Sequence, residues 1–439
     1  MNPEFKRQLW LELDPGRVVV LAIVLGALFT LMGMLDARGI PGVAVPTVAL
    51  VTFIAMTVAW GAHRAGESVL AELRERTWDT QRISALSPTE MGWGKLFGAT
   101  SYAWLGGALC LAVFALTASH LEATTIALIV LQAVGGAVLV HALSLIAALV
   151  KAGHPKLRKG LLGGNVAAVV LGLAYAKFAS GLGVGGHLVW YGVTFDSFQF
   201  NTVLLLVTAG WAVFGVQRMM CHELQVATRP WAWAAFLGYL TLVAAGSTVG
   251  PGFGVMNMLR PITALGTELA LVATYLCALT VFRDPLALRR LARYGRAEEW
   301  RRLLEAAPLW LISLVLAAGF ALLSTLLGPT PDSRPSFGEP LGLCALPLLL
   351  YGVRDVLLLL TVGYGLQAER AEITALIYLG VLDWLAPAIL GLIGFDLAQI
   401  AVRPLPWQHP LVAALILLVH IGVIGRLAYQ RYRARIAPP

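Results

Sequence analysis

Ionisable residues stand in or beside long apolar runs of this chain at His141, Lys177, Glu268, Arg354, Asp355, Asp383 and His420. A charge at the centre of a bilayer costs on the order of 2.5–3.5 kcal/mol on insertion scales, so each is a candidate for binding or ion coupling by default. Carboxylates and a guanidinium in that setting can pair with each other or exchange a proton. Arg354 and Asp355 are adjacent, and consecutive side chains of one helix do not face each other, so each is expected to pair with another span. A structural ion-pair role is favoured for both. Lys177 is expected to snorkel toward the outer face, and His420 to be a hydrogen-bonded helix contact. The patterns of soluble chemistry are missing from the sequence: no H-E-x-x-H, no G-x-S-x-G, no Asp-rich diphosphate motif and no Cys/His metal spacing. Cys110, Cys277 and Cys344 lie in apolar runs and Cys221 in a polar connection, with no disulfide framework legible.

The elements that must position these residues are membrane helices. The chain is 58% hydrophobic and 13% charged, against about 25% charged in a soluble domain. Apolar runs recur from end to end, and each must be helical because backbone groups in lipid have to be satisfied within the segment. About twelve spans are predicted. The first six are Val18–Leu35, Val43–Ala62, Leu96–Leu116, Thr124–Val150, Leu161–Leu182 and Thr202–Met219. Trp231–Gly250, Thr263–Val281, Leu309–Leu327, Leu341–Val362, Ile373–Ile393 and Leu411–Leu427 follow. Lys and Arg concentrate on one side of this arrangement, leaving Arg38, Arg260, Arg334 and Arg403 on the other, which places both termini in the cytoplasm. The net charge of +8 then follows from basic loops facing anionic headgroups, and nucleic acid is not called for.

The largest expected cytoplasmic loops follow the second and eighth spans, six spans apart, which suggests a parallel repeat of two six-span units. The division is 1–17 as an amphipathic helix, 18–222 as the first unit with loop 64–95, 223–427 as the second unit with loop 282–307, and 428–439 as a basic tail. In the first loop, "SPTE" forms a capping box: Ser87 as N-cap, Pro88 in the first turn and Glu90 reaching back. A helix is expected to run from Pro88 into the third span, after a corner near Ala85. Glu72 with Arg76, and Asp79 with Arg82, have the spacing of local ion pairs. In the second loop Asp284 and Pro285 start a helix, Gly295 stops it, and Trp300 with Leu303 and Leu304 gives the next one an apolar face. On the outer side, "SGLGVGGHLVWYGVTFDSFQF" and "GFDLAQIAVRPLPWQHP" look like interfacial or re-entrant segments.

The stretch "ERTWDTQRISALSPTEMGWGKLFGATSYAW", Glu75 to Trp104, resembles the loop between the second and third spans of ABC type-2 exporter permeases. The positions that carry the resemblance are Glu75, Arg76, Trp78, Gln81, Arg82, Leu86, Ser87, Pro88, Gly94, Lys95, Leu96 and Gly98. The resemblance implies a coupling helix that docks on a separate ATPase subunit, with an amphipathic elbow helix, here Asn2 to Leu13, ahead of the first span. Docking residues would be Arg76, Trp78, Asp79, Gln81, Arg82, Ser87, Pro88, Glu90 and Lys95. The second loop lacks both "LSP" and "GKL", so Trp300 and Arg301 join that set by position alone.

"GWGKLFG" lacks the glycine spacing and the following Ser or Thr of a phosphate-cradling loop, so ATP and its Mg would be bound by the partner chains, two ATPase copies being expected, and no cofactor by this one. The expected protein is an all-α exporter permease of the bacterial inner membrane that moves an amphipathic or lipid-like substrate and is not itself an enzyme. The rival reading is a major-facilitator-like secondary transporter using the intramembrane residues His141, Glu268, Arg354, Asp355 and Asp383. Neither loop carries that family's Gly-x-x-x-Asp-Arg-x-Gly-Arg-like sequence.

Overall fold

The first helix of the chain is turned inside out by the standards of a soluble protein. In α1 (Pro3–Glu12) the buried stripe is Glu4, Gln8 and Glu12, while Trp10 and Leu11 are exposed. A polar stripe packs inward only where partners await it, and an apolar face stays outward only where the solvent is lipid. The same inversion holds on the long helices, where Val19, Val20, Ile23 and Val24 are exposed and the buried positions favour small residues such as Ala49, Ala62, Ala65 and Ala142. Small residues let helix backbones approach closely, which is how helices associate in a bilayer.

The computed structural model describes residues 2–39, 45–84, 86–153, 186–226, 228–249, 254–280, 285–328, 341–364, 371–404 and 409–436. Among them, nine helices are long and apolar enough to cross a membrane, and a bent pair, Pro88–Gly98 with Ser101–Thr117, makes a tenth. Trp231–Gly246 is a shorter apolar helix. The expected span Leu161–Leu182, with Lys177, lies outside the described residues, as do Ala85 and Asp284. The protein is a membrane-embedded, almost wholly helical chain.

Two compact units divide it: Met1–Leu188 with Phe195–Thr228, and Val189–Thr194 with Arg229–Pro439. In the first unit, α1 is followed by α2 (Pro15–Ala37), α3 (Val45–Phe53), a π-helical turn π1 (Ile54–Trp60) and α4 (Gly61–Arg74). Short helices α5 (Trp78–Arg82) and α6 (Pro88–Trp93) form the polar loop. A second π turn, π2 (Gly94–Gly98), leads into α7 (Ser101–Thr117), and then come α8 (Ala123–Gly153) and α9 (Ser197–Glu223). The helix expected to run unbroken from Pro88 into the third span is bent by 50° between Gly98 and Ser101. Between α8 and α9 a hairpin of β1 (His187–Trp190) and β2 (Val193–Asp196) stands where an interfacial segment was expected.

The second unit contains α10 (Trp231–Gly246), α11 (Val255–Thr280), α12 (Pro285–Arg296), α13 (Trp300–Ala306), α14 (Leu309–Leu327) and α15 (Leu341–Gly363). After α15 come α16 (Ala371–Gly380), a third π turn π3 (Val381–Leu385), α17 (Ala386–Leu392), α18 (Asp396–Val402) and α19 (Pro410–Ile436). α15 packs against α11, α14, α16 and α19. Gly295 does not stop α12: the helix runs on to Arg296, and Glu298 takes the left-handed position at φ 56°. There the Glu299 N–H reaches the Tyr294 carbonyl at 3.0 Å, a Schellman closure that a non-glycine residue completes.

The three π turns among the described residues share a property. π turns loosen the local hydrogen-bond ladder and recur at functional sites. Each here carries a polar residue joined to another element: Thr57 in π1 to His141, Lys95 in π2 to Glu72, and Asp383 in π3 to Arg354. His141 on α8 is fully buried, with its Nε2 2.7 Å from the Thr57 carbonyl and its ring edge-on to Trp104. A carbonyl only accepts, so Nε2 carries the proton. Its site exists because residue 61 is glycine: a Cβ there would meet His141 Cε1 at 2.8 Å. Gly61→Ala is therefore expected to cost about 1–3 kcal/mol by overpacking. An unfolding transition of the detergent-solubilised variant that matches wild type would remove this assignment.

Candidate functional site

The polar loop of the first unit closes on a buried ion network. Lys95, in π2, is fully buried, and its Nζ donates to Glu72 Oε2 at 2.5 Å and to the Ser68 carbonyl at 3.2 Å, both on α4. Glu4 of α1 lies 3.9 Å from the same ammonium. Arg7 grips Glu4 with two bonds of 2.9 and 2.8 Å and reaches Glu72 at 2.9 Å. Gln81 of α5 donates to Glu72 at 2.6 Å, and Gln8 of α1 to Glu4 at 2.9 Å. Two cations thus answer two carboxylates, with amides filling remaining acceptor positions, the condition under which buried charge is tolerated. Burial opposes ionisation of Glu4, but hydrogen bonds from Arg7 and Gln8 and the nearby cations outweigh it and hold its carboxyl below the usual range. The bonds to Glu4 in turn hold the Arg7 guanidinium in its charged form.

Backbone shape makes this network possible. Gly94 and Gly98 in π2 form the floor on which α1 lies: a Cβ at Gly94 would meet the Phe5 nitrogen at 2.9 Å, and one at Gly98 the Gln8 Cβ at 2.8 Å. The Asn2 side chain caps α1 through the Glu4 and Phe5 N–H groups and donates to the Glu90 carbonyl at 2.7 Å. Glu90 closes the capping box, with Ser87 N to Glu90 Oε2 at 3.0 Å and Glu90 N to Ser87 Oγ at 3.2 Å. Pro88 opens α6 as expected.

The loop residues named from sequence divide between two faces. Trp78, Gln81 and Lys95, expected on an outward docking face, turn inward instead: Trp78 is buried beneath Lys95, whose Nζ stands 5.3 Å from its ring centre, and it packs with Val69, Met91 and Met220. The physical reason is the charge on Lys95, which needs Glu72 and an apolar lid. Arg82 is half-buried, donating to the Glu223 carbonyl at 2.9 Å and standing 3.6 Å from Asp79. The expected Glu72–Arg76 pair does not form. α4 ends at Arg74, and Arg76 sits at φ 60° in a Schellman closure, the Thr77 N–H bonding the Glu72 carbonyl at 2.9 Å. Outward remain Arg76, Asp79, Ser84, Ser87 and Ile83, the last 86% exposed.

In the second unit, Trp300 is 65% exposed and Arg301 pairs with Glu305 along its own helix at 3.3 Å. Among the described residues, no buried network of the first loop's kind joins them.

The second unit holds its own polar centre, in the apolar helices. Arg354 on α15 is fully buried and donates through Nε to Asp355 Oδ1 at 2.8 Å and through Nη2 to both oxygens of Asp383 at 2.9 and 2.8 Å. Arg354 and Asp355 were expected to find separate partners; they pair with each other as well, because the guanidinium reaches back across its own backbone. Tyr275 of α11 donates to Asp355 Oδ2 at 2.6 Å. The Arg354 guanidinium lies 4.5 Å from the ring centre of Tyr351, whose hydroxyl donates to the Pro404 carbonyl at 2.6 Å. His420 of α19 bonds the Ala401 backbone. Tyr275 and Tyr351 escaped sequence reading, since a tyrosine in an apolar run carries no signal of its own. Glu268, half-buried on α11, makes no hydrogen bond or ion pair among the described residues. Nor does any group of three or more His, Cys, Asp or Glu among them have the arrangement of a metal site.

Comparison of the chain with protein-family models, characterised proteins and solved structures finds no match.

Proposed function

We propose that this protein is the membrane-spanning permease of an ATP-driven exporter, and that the polar loop of its first unit receives a separate ATPase. The observation that carries the reading is the double use of that loop. Its inner face is tied by Lys95, Glu72, Glu4 and Arg7 to α1 and α4, while its tip leaves Arg76, Asp79 and the apolar knob Ile83 exposed. A surface that is to transmit force needs such a rigid root, and a docking surface needs an apolar anchor rimmed by charge. Both termini lie in the cytoplasm in this reading, and the two units are six-span halves of one chain in a bacterial inner membrane. Two ATPase copies, carrying ATP and Mg, supply the hydrolysis. Closure of the ATPases pulls the loop, and α1 and α4 carry the displacement to the spans. The cargo is an amphipathic or lipid-like molecule.

The test is Ile83→Asp, which leaves the buried network intact. Co-expressed with an ATPase encoded beside it, the variant should lose ATPase association by about tenfold or more, with ATP-driven transport falling in step. Trp300→Ala, run beside it, reports whether the second loop is used too. Undiminished association and transport in Ile83→Asp would overturn the docking assignment.

A further inference from the structure

The polar centre of the second unit does not balance its charge. Two carboxylates, Asp355 and Asp383, share the single guanidinium of Arg354, and all three belong to apolar helices. The ionisable groups facing them are few. α11 contributes the Tyr275 hydroxyl, α15 the Tyr351 hydroxyl, and α19 His420, whose Nδ1 is buried without a hydrogen-bond partner among the described residues. α14 carries no titratable side chain, and α16 carries Glu372 and Tyr378, the latter exposed. Arg403, after α18, lies over the Trp384 ring at 5.3 Å and acts electrostatically on Tyr351, but among the described residues it forms no ion pair with either carboxylate. Glu268 lies seven residues from Tyr275 on α11, about 10 Å along the helix, and would add negative charge. Among the described residues, the ion pairs of this centre therefore leave one negative charge over where uncompensated charge is most expensive.

We infer that the Asp355–Asp383 pair is a proton-binding site that holds one exchangeable proton at neutral pH. The proton belongs to the pair, because both carboxylates share Arg354. Asp355 has a route to hold it, since Oδ2 already faces the Tyr275 hydroxyl, which can turn from donor to acceptor. Asp383 has the more accessible side chain, 20% exposed against 9% for Asp355. It also stands in π3, where a loosened ladder lets the helix adjust when the two bonds from Arg354 Nη2 are lost. Release of the proton leaves both carboxylates on Arg354; its return frees one of them. The site thus gives the second unit a means of responding to proton concentration, whether or not an ATPase drives the first.

Charge counting makes the inference testable in the intact protein. The full chain, labelled with carbon-13 at the aspartate carboxyl carbon and held in lipid nanodiscs, is examined by infrared spectroscopy at neutral pH. Solvent-exposed aspartates titrate near pH 4 and are ionised there. Wild type should show one protonated aspartic acid carbonyl band that shifts in heavy water. Asp383→Asn and Asp355→Asn each leave one carboxylate for one guanidinium, so the band should vanish in both. Arg354→Gln leaves two carboxylates with no cation, and the band should double. Absence of any such band in wild type would overturn the inference, as would a band that persists in both asparagine variants. The wild-type spectrum decides even if Arg354→Gln fails to fold.

Discussion

Replacing Lys95 with methionine is expected to destabilise the first unit by about 3–5 kcal/mol and to release α1 from the loop. Methionine keeps most of the apolar stem but removes the cation that Glu72 and Glu4 face from inside the protein. Arg7 still reaches both carboxylates, yet it lies at the edge of the network and cannot replace an ammonium seated over Trp78. The result is read in two ways: from the unfolding midpoint in denaturant, and from protease cleavage after Arg7, which the docked helix resists. The double variant Lys95→Met/Glu72→Leu should recover much of the loss, because exchanging a buried pair for apolar side chains is often close to neutral. A single variant within about 0.5 kcal/mol of wild type, as surface substitutions typically are, would show the network to be dispensable.

Arg354→Met should have an effect of similar size in the second unit, again about 3–5 kcal/mol. It removes the donor of every bond to Asp383 and of one bond to Asp355, along with the stack on Tyr351. One further proton taken up by the carboxylates replaces the lost charge but not the lost hydrogen bonds. Arg354→Lys should rescue little, since one ammonium cannot stand at once where Nε bonds Asp355 and where Nη2 bonds both oxygens of Asp383, and it has no plane to stack on Tyr351. The measurement is thermal unfolding of the purified variants in one detergent. Equal stability of Arg354→Met and wild type would mean that the centre contributes nothing to holding α15 and π3 together.

Much of the architecture is legible in the sequence because membrane helices obey a coarse rule: length and apolarity suffice. The apolar runs around Val18, Thr124, Thr263, Leu309 and Leu411 all emerge as long helices, and the capping box at Ser87–Glu90 forms from its local pattern. What escapes is whatever depends on a second segment. The bend before Ser101, the three π turns and the inward polar stripe of α1 have no local cause. Glu4, Gln8 and Glu12 read as an ordinary solvated face until Lys95, Arg7 and Arg64 are seen to meet them.

The loop motif illustrates the division. Its residue types mark an ordered polar elbow in an apolar chain, and that much follows from composition and capping alone. Which of its side chains point inward was decided by tertiary structure, because the pull of a buried ammonium on a carboxylate far along the chain outweighs any local preference of Trp78 or Gln81. Arg354 and Asp355 make the same point in the opposite direction. Helical spacing argues that neighbours do not face each other, and a long guanidinium held by Asp383 from another helix overrides it. Spans and a net positive charge belong to the sequence; the count of carboxylates around one arginine, and the proton it implies, exists only once the helices are packed.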